Sequence, residues 1–407
     1  MICGLLGRKL GHSYSPQIHA ELGNYPYVLF EKEPDELEHF LKSDQFSGLN
    51  VTVPYKKAVI PYLDELSPRA RELGAVNTIV RRDGKLTGHN TDYFGFAQML
   101  LQSGLDVTGK KVLVLGSGGA SNTAVAVLQA QNAQVVVISR NGENNYQNLN
   151  LHTDARVIVN TTPVGMYPDT DCSPIGIDVF PHLEGVLDVI YNPARTVLLR
   201  QAEERGLVTA NGLLMLVAQA AEASEWFTGN LAPGEKITQI HKKLRRQMEN
   251  IVLIGMPGSG KSSVGRYLAE RTGKTFVDAD EEITKLAGKS IPEIFSQDGE
   301  NVFREWETKA LSQLGNRSGL IIATGGGCVT RSVNYGLLHQ NGTCFCLERD
   351  IKQLPTDGRP LSQRGRLEDM YAIRKPLYDQ FADYHIDCND TILSAAEQIL
   401  RIWEEMP

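Results

Sequence analysis

The sequence has few cysteines and none of the patterns that would give them a structural role. Its six cysteines stand at 3, 172, 328, 344, 346 and 388, without a Cys-x-x-Cys pair and without a Cys/His cluster at zinc spacing. This arrangement argues against a disulfide framework and against a structural zinc site. Cys344 and Cys346 flank Phe345 in an apolar run, a pattern typical of small buried side chains on one face of a strand.

Long apolar runs and an excess of positive charge are also missing. No run approaches the roughly 18 apolar residues of a membrane span, and the stretch from Ile2 to Leu6 is too short for the hydrophobic region of a signal peptide. A formal net charge of −7 gives the surface as a whole no attraction for nucleic acid or anionic lipid. We therefore expect a cytoplasmic protein that binds neither nucleic acid nor membrane.

Short runs rich in Val and Ile alternate with helical patterns along the whole chain. Such runs are typical of parallel strands that helices cover on both faces, so the sequence predicts an α/β protein. A chain of 407 residues is long enough for two to four folding units. The strand-like runs fall in two sets, which meet at a junction near 247 without a flexible linker. The first set comprises 110–116, 134–140, 156–163 and 186–193, and the second comprises 249–255, 274–280, 319–327 and 342–348.

The second set opens with a phosphate-binding loop. Residues 255–262 match G-x-x-x-x-G-K-[S/T], and they stand between an apolar strand and a helical pattern, as this motif requires. Backbone amides would bind phosphate oxygens, the Lys261 ammonium would meet the β and γ phosphates, and the Ser262 hydroxyl would reach Mg²⁺. The predicted ATP-binding residues are Gly255, Gly258, Ser259, Gly260, Lys261, Ser262 and Ser263.

Further motifs follow the loop in a specific order: Asp278-Ala-Asp280, Phe303-Arg304-x-x-Glu307, Gly325-Gly326-Gly327, Gly358-Arg359-Pro360-Leu361 and Ile373-Arg374-x-Pro376. With the loop, they make residues 248–407 resemble shikimate kinase. The resemblance implies a P-loop kinase domain with a parallel sheet that phosphorylates shikimate with MgATP.

The resemblance also implies a role for each motif residue. Arg304 and Arg374 would bind the substrate carboxylate, with Glu307 holding Arg304 in place. Asp280 would bind ring hydroxyls and act as the base, and Asp278 would act on the metal with Ser262. The backbone amides of Gly325, Gly326 and Gly327 would lie against the substrate. Arg359 would be the arginine of a lid.

In the first half, a glycine-rich turn suits a dinucleotide. The segment Gly116-Ser117-Gly118-Gly119-Ala120-Ser121 follows a strand and opens a helical pattern, but Ser121 replaces the third glycine of G-x-G-x-x-G. The next strand ends in Ser139-Arg140, where an NAD enzyme would carry an acidic residue. Arginine suits a 2′-phosphate and favours NADP, although a second basic residue is absent.

Polar motifs surround this turn in the sequence: Ser13-Tyr14-Ser15-Pro16, Asn50-x-Thr52-x-Pro54-x-Lys56, Asn77-Thr78, Asn90-Thr91-Asp92, Asn160-Thr-Thr162, Tyr191-Asn192-Pro193 and Asn211-Gly212-x-x-Met215. Together they resemble shikimate dehydrogenase over nearly all of residues 1–247. The resemblance implies an α/β substrate lobe at 1–103 and 211–247 and an NADP-binding Rossmann lobe at 104–210.

By this resemblance Lys56 and Asp92 form the catalytic pair, Lys56 delivering a proton to the reduced carbonyl and Asp92 orienting it. The neighbouring Lys57 is the alternative amine. The implied substrate residues are Ser13, Ser15, Thr52, Asn77, Asp92, Tyr191 and Gln219. The implied NADP residues are Gly116, Ser117, Gly118, Gly119, Ala120, Ser139, Arg140, Thr162, Gly212 and Met215.

The two resemblances fit one pathway, because the product of the first enzyme is the substrate of the second. The sequence therefore predicts a bifunctional enzyme that reduces 3-dehydroshikimate to shikimate with NADPH and phosphorylates shikimate with MgATP. A fused, non-catalytic metabolite sensor, as in fungal repressors of quinate use, and a quinate dehydrogenase in the first half remain as alternatives. Channelling of shikimate and the oligomeric state stay open.

Overall fold

The computed structural model describes residues 1–11, 13–354 and 367–406. Its contacts divide the chain into two compact units. Unit 1 comprises Met1–Tyr191 and Leu198–Lys243, and unit 2 comprises Asn192–Val197 and Leu244–Pro407. The division therefore falls inside the helix Gly234–Met248, close to the predicted junction near 247.

Unit 1 begins with a six-stranded mixed sheet in the order β2-β1-β3-β5-β6-β4. β1 pairs in parallel with β2 and β3, whereas β5 runs antiparallel to β3 and β6. Leu49 and Ile79 on this sheet and Phe40 on a covering helix are buried together in one apolar core. The elements are β1 (Cys3–Gly7), α1 (Ser15–Leu22), β2 (Tyr27–Glu31), α2 (Leu37–Lys42), β3 (Gly48–Val51), α3 (Tyr55–Ala58), β4 (Glu65–Leu66), α4 (Pro68–Leu73), β5 (Thr78–Arg82), β6 (Lys85–His89) and α5 (Asp92–Ser103).

A second sheet of five parallel strands follows, in the order β11-β10-β9-β7-β8. β9 is buried along its whole length and β7 from its second residue onward, because helices cover both faces, which explains the continuous Val, Ile and Leu content of these strands. α8 returns from this sheet and packs on α5 and α1. The elements are β7 (Lys111–Leu115), α6 (Gly119–Ala130), β8 (Gln134–Ile138), β9 (Val157–Asn160), β10 (Gly185–Asp188), α7 (Val197–Glu204), β11 (Val208–Ala210), α8 (Leu213–Thr228) and α9 (Gly234–Met248).

Unit 2 contains a third sheet, again of five parallel strands, in the order β13-β14-β12-β15-β16. The strand order reverses beside β12, which is where ligands bind in open α/β sheets. The elements are β12 (Asn250–Ile254), α10 (Lys261–Thr272), β13 (Thr275–Asp278), α11 (Ala279–Ala287), α12 (Ile291–Gln297), α13 (Gly299–Gly315), β14 (Leu320–Ala323), α14 (Val333–His339), β15 (Gly342–Glu348), α15 (Leu367–Phe381), β16 (Tyr384–Asp387) and α16 (Ile392–Glu405).

Candidate active sites

An amine and a carboxylate meet in the first sheet's lobe. Lys56 lies on the short helix α3 and Asp92 is the first residue of α5, where the helix dipole favours a negative charge. The Lys56 Nζ donates to Asp92 Oδ2 at 2.7 Å, with the lysine side chain 28% exposed and the aspartate 11% exposed. Lys57 is exposed, whereas Lys56 is partly buried. The pair thus provides a shielded but reachable proton donor.

Amide and hydroxyl groups lie next to this pair. Asn77 Nδ2 donates to Thr91 Oγ1 at 3.0 Å, and the Thr91 backbone N–H donates to Asn77 Oδ1 at 2.7 Å. Thr91 Oγ1 also contacts Gln219 Oε1 at 3.5 Å. Thr91, immediately before Asp92, therefore links two predicted substrate residues. No role was predicted for Thr91, although it stands inside the motif Asn90-Thr91-Asp92.

The predicted carboxylate-binding residues lie at the start of α1. The Ser15 backbone N–H donates to Ser13 Oγ at 3.2 Å, and Ser15 is buried. The intervening Tyr14 packs edge to face on Tyr191, with ring centroids 6.2 Å apart. Burial and Tyr14 together raise the pKa of Tyr191, so its phenol stays protonated and can donate a hydrogen bond. Thr52 is partly buried and follows β3.

The glycine-rich turn is shaped for an anion. Gly116 has φ +107°, a conformation that other residues rarely adopt, and a side chain there would also meet Thr161 and Thr162. At Gly118 and Gly119, by contrast, an added Cβ would have no neighbour within 4 Å, which leaves open space at the first turn of α6. Backbone amides at such a helix start suit the pyrophosphate of a dinucleotide.

Ser121 explains why the third glycine is dispensable in this turn. Its side chain is 1% exposed, and its hydroxyl donates to the Gly116 carbonyl at 2.7 Å. A side chain at this position therefore closes the turn by a hydrogen bond that glycine could not make. Ser117 is exposed and Ala120 partly buried in the same turn.

The remaining predicted NADP residues lie on three segments. Arg140 is exposed, and within the described residues it makes no hydrogen bond or ion pair, so its guanidinium suits a 2′-phosphate. Ser139 follows β8, and Thr162 donates to Asn160 Oδ1 at 2.7 Å. Gly212 lies against the Val189 carbonyl, and Met215 is buried among apolar side chains.

The phosphate-binding loop of unit 2 connects β12 to α10. Gly255 and Gly260 have φ +137° and +98°, which explains the glycines at the ends of the motif. Lys261 Nζ donates to the Gly255 and Met256 carbonyls at 2.8 and 3.0 Å. The Ser262 hydroxyl donates to Asp278 Oδ2 at 2.7 Å. This pair of hard oxygen atoms fits a Mg²⁺ ion, and the loop amides fit a triphosphate.

A cavity of about 780 Å³ opens beside the loop. It is lined by all but Gly255 of the predicted nucleotide loop, by Asp278 and Asp280, and by the glycine segment 325–327. Burial raises the pKa of Asp280, and the nearby Asp278 carboxylate raises it further, against the opposing effect of Lys261 and Arg304. A carboxylate with a raised pKa in a cavity is a stronger base than a solvent-exposed one, which suits it to accept a proton from a ligand.

Two arginines border the other end of this cavity. Arg304 Nη1 donates to Glu307 Oε2 at 2.8 Å, with the two side chains 8% and 0% exposed. A second carboxylate, Glu300, which was not among the predicted site residues, accepts from Arg304 Nη2 at 3.1 Å. Arg374 Nη1 donates to the Gly326 carbonyl at 3.0 Å. The cavity thus presents two fixed guanidinium groups, the arrangement that recognises a carboxylate.

The glycine segment is packed too tightly for side chains. At Gly327 an added Cβ would overlap the Arg304 guanidinium, and at Gly325 it would lie 2.8 Å from Glu307 Oε1.

The predicted lid motif 358–361, with Arg359, lies outside the described residues. Within the described residues, no helix is long and apolar enough to cross a membrane.

Two family models match the chain. The shikimate dehydrogenase substrate binding domain matches residues 5–79, and shikimate kinase matches residues 257–404. A shikimate dehydrogenase (NADP(+)) of Clostridium perfringens (strain SM101 / Type A) is 37% identical over 264 residues, which cover 60% of this chain and 97% of that protein. The chain belongs to the shikimate dehydrogenase family.

Solved structures agree with this assignment of the shikimate dehydrogenase half. Shikimate dehydrogenase 1 of Peptoclostridium difficile is 35% identical with a TM-score of 0.56, covering 60% of this chain and 97% of that one. A Thermus thermophilus shikimate 5-dehydrogenase, solved with NADP(H) and shikimate, is 32% identical with a TM-score of 0.55, covering 60% and 99%. The predicted α/β class, with a Rossmann-like fold followed by a kinase domain, is confirmed.

The chain therefore combines an NADP-dependent shikimate dehydrogenase with a shikimate kinase, an oxidoreductase and an ATP- and Mg²⁺-dependent kinase of one pathway. The predicted bifunctional enzyme is confirmed at this level. Within each unit, the structure brings together those predicted catalytic side chains that it describes, namely Lys56 with Asp92 and Lys261 with Asp280. Arg359 lies outside the described residues.

Proposed function

We propose that Lys56 and Asp92 are the catalytic pair of the dehydrogenase, which reduces 3-dehydroshikimate to shikimate. The 2.7 Å contact between Lys56 Nζ and Asp92 Oδ2 carries this proposal. Lys56 polarises the substrate carbonyl and donates a proton to its oxygen, while Asp92 orients the ammonium and accepts a hydrogen bond from a ring hydroxyl. When bound, NADPH supplies the hydride.

The other predicted residues of this unit bind the two ligands. The hydroxyls of Ser13 and Ser15 hold the carboxylate, because each offers an O–H donor to an anion. Thr52, Asn77, Tyr191 and Gln219 complete the substrate lining, where they hold ring hydroxyls. The NADP residues are Gly116, Ser117, Gly118, Gly119, Ala120, Ser139, Arg140, Thr162, Gly212 and Met215, of which Arg140 meets the 2′-phosphate.

In the kinase, Asp280 accepts the proton of the attacking 3-hydroxyl, which its raised pKa supports. Arg304 and Arg374 bind the carboxylate, and the segment 325–327 contacts the substrate through its backbone. Lys261 neutralises the phosphates of ATP, together with Arg359, whose role rests on the sequence motif. Mg²⁺, held by Ser262 and Asp278, would screen the phosphate charges.

The finer organisation is also part of this proposal. The substrate lobe comprises 1–103 and 211–247, the NADP lobe 104–210 and the kinase domain 248–407. The six free cysteines, five of them buried, support a reducing compartment such as the cytoplasm. Small-molecule substrates, rather than nucleic acid or membrane, are the partners, and a homo-oligomer is compatible with this assignment.

The test supplies the purified full chain with 3-dehydroshikimate, NADPH and MgATP and measures shikimate 3-phosphate. We expect Lys56→Met to abolish NADPH oxidation while the kinase still phosphorylates added shikimate, and Asp280→Asn to do the reverse. Each variant serves as the folded control for the other, because the two activities share one chain. Ligand binding without turnover would favour a metabolite sensor, and faster turnover of quinate than of shikimate would favour a quinate dehydrogenase.

A further inference from the structure

Tyr27 is a partly buried phenol that the catalytic scheme above does not use. It lies on β2, and its ring stacks on the His19 imidazole with centroids 4.0 Å apart and an interplanar angle of 10°. Burial lowers the pKa of His19 to about 3, so this ring stays neutral. Burial also raises the pKa of the Tyr27 phenol well above its usual value. The Tyr27 phenol is therefore a hydrogen-bond donor whose ring is held against His19.

The Tyr27 hydroxyl connects β2 to a buried amide on β3. It donates to Asn50 Oδ1 at 2.8 Å, and Asn50 is 4% exposed. The orientation of the Asn50 amide is thus tied to a group on β2.

From Asn50 the hydrogen bonds continue across the sheet to the amide of Asn77. Asn50 Nδ2 donates to Thr78 Oγ1 at 3.3 Å, and Thr78 Oγ1 donates to Asn77 Oδ1 at 3.2 Å. Asn77 Oδ1 also accepts from the Thr91 backbone N–H at 2.7 Å. These contacts occupy the carbonyl end of the Asn77 amide, while Nδ2 donates one hydrogen to Thr91 Oγ1 and has a second N–H to offer a ligand.

We propose that Tyr27 is a positioning residue of the dehydrogenase, which orients the hydroxyl-binding Asn77 through Asn50 and Thr78. This inference rests on the proposed function of Asn77. The residues that Tyr27 orients, Asn50, Asn77 and Thr78, are at most 4% exposed, so bulk water does not replace a hydrogen bond lost among them. The Asn77 amide would then lose its fixed orientation.

The test is Tyr27→Phe, which keeps the ring that stacks on His19 and removes only the hydroxyl. In the oxidation of shikimate with NADP⁺ and without ATP, we expect the KM for shikimate to rise about tenfold, the order of magnitude for loss of one buried hydrogen bond. The kcat should change less than about threefold, and the KM for NADP⁺ should not change. A rise specific to shikimate separates positioning from a general loss of structure.

Tyr25→Phe is the matched control. The Tyr25 hydroxyl bonds to His19 Nδ1 at 2.7 Å and to Ser224 Oγ at 2.9 Å, so it belongs to the same buried cluster without contacting Ser15 or Asn50. We expect a lower melting temperature in both tyrosine variants but a raised KM only in Tyr27→Phe. The kinase activity of each variant reports the concentration of folded chain.

A double-mutant cycle with Asn77→Ala tests the coupling itself. If Tyr27 acts through Asn77, its substitution should add little to the KM of the Asn77→Ala chain. An unchanged KM in Tyr27→Phe, an equal rise in Tyr25→Phe, or full additivity with Asn77→Ala would overturn the inference while leaving the proposed function intact. A wild-type chain that oxidises no shikimate would overturn both.

Discussion

The contrast between two carboxylates on one arginine allows a quantitative prediction. Arg304 pairs with Glu307, which is fully buried, and with Glu300, whose side chain is 51% exposed. Removing one partner of a buried pair leaves an uncompensated charge and costs about 3–5 kcal/mol, whereas an exposed pair one helical turn apart contributes at most about 1 kcal/mol. Glu307→Gln and Glu300→Gln should therefore differ strongly although both remove one negative charge beside Arg304.

The measurement is the urea concentration at which kinase activity is half lost, with the dehydrogenase activity of the same chain as the reference. With a urea dependence of about 2 kcal/mol per molar, Glu307→Gln should lower the kinase midpoint by about 1.5–2.5 M. Glu300→Gln should lower it by at most about 0.5 M. The KM of the kinase for shikimate should rise in Glu307→Gln, because the guanidinium loses the contact that aims it.

Equal shifts in the two variants would refute this reasoning, since burial would then not determine the strength of the pair. A kinase midpoint that stays at the wild-type value in Glu307→Gln would refute it as well. A parallel fall in dehydrogenase activity would show that the loss was not confined to the kinase.

Three further outcomes follow from single contacts. Gly327→Ala would place a methyl group against the Arg304 guanidinium, so we expect a loss of at least about a hundredfold in kinase kcat/KM for shikimate with the dehydrogenase unaffected; a kinase that keeps its rate would contradict the packing. Arg140→Ala should raise the KM for NADP⁺ about tenfold and leave that for NAD⁺ unchanged; equal changes would remove the 2′-phosphate assignment. Burial, helped by Glu225 and Asp92, raises the pKa of Glu222 to about 7 from its usual value of 4.5. The unfolded chain therefore releases this proton at lower pH than the folded chain. As the pH rises from about 4.5 to 7, the free energy of unfolding should fall by about 3 kcal/mol at most. Glu222→Gln should remove this part of the pH dependence of the unfolding midpoint, and parallel pH profiles for the two chains would argue against it.

The class of the fold was predictable because its signals are local. Buried parallel strands need continuous apolar runs, and a phosphate loop needs glycines at positive φ, so both leave marks in the sequence. The pairing of Arg304 with Glu307 was similarly accessible, since residues three apart share one face of a helix.

The hydrogen bonds that orient the sites were not predictable in this way. In the sequence, Ser121 is only a departure from the glycine pattern. The contact of its hydroxyl with the Gly116 carbonyl becomes visible only in the folded chain. Tyr27 and Asn50 lie 23 residues apart and meet only because β1 lies between β2 and β3 in the sheet. A sequence states which groups can donate and accept, but the register of the strands decides which of them meet.

Asp278 makes two contacts with one carboxylate, and this limits how substitutions there can be interpreted. Oδ2 accepts from the Ser262 hydroxyl, while Oδ1 accepts from the Asp280 backbone N–H and so caps the helix that carries the proposed base. An alanine would remove an oxygen near the phosphates and loosen the start of α11 in one step. Asparagine keeps a carbonyl oxygen suited to the cap and removes the charge. Only Asp278→Asn can therefore assign a lost activity to electrostatics at the phosphates rather than to a frayed helix.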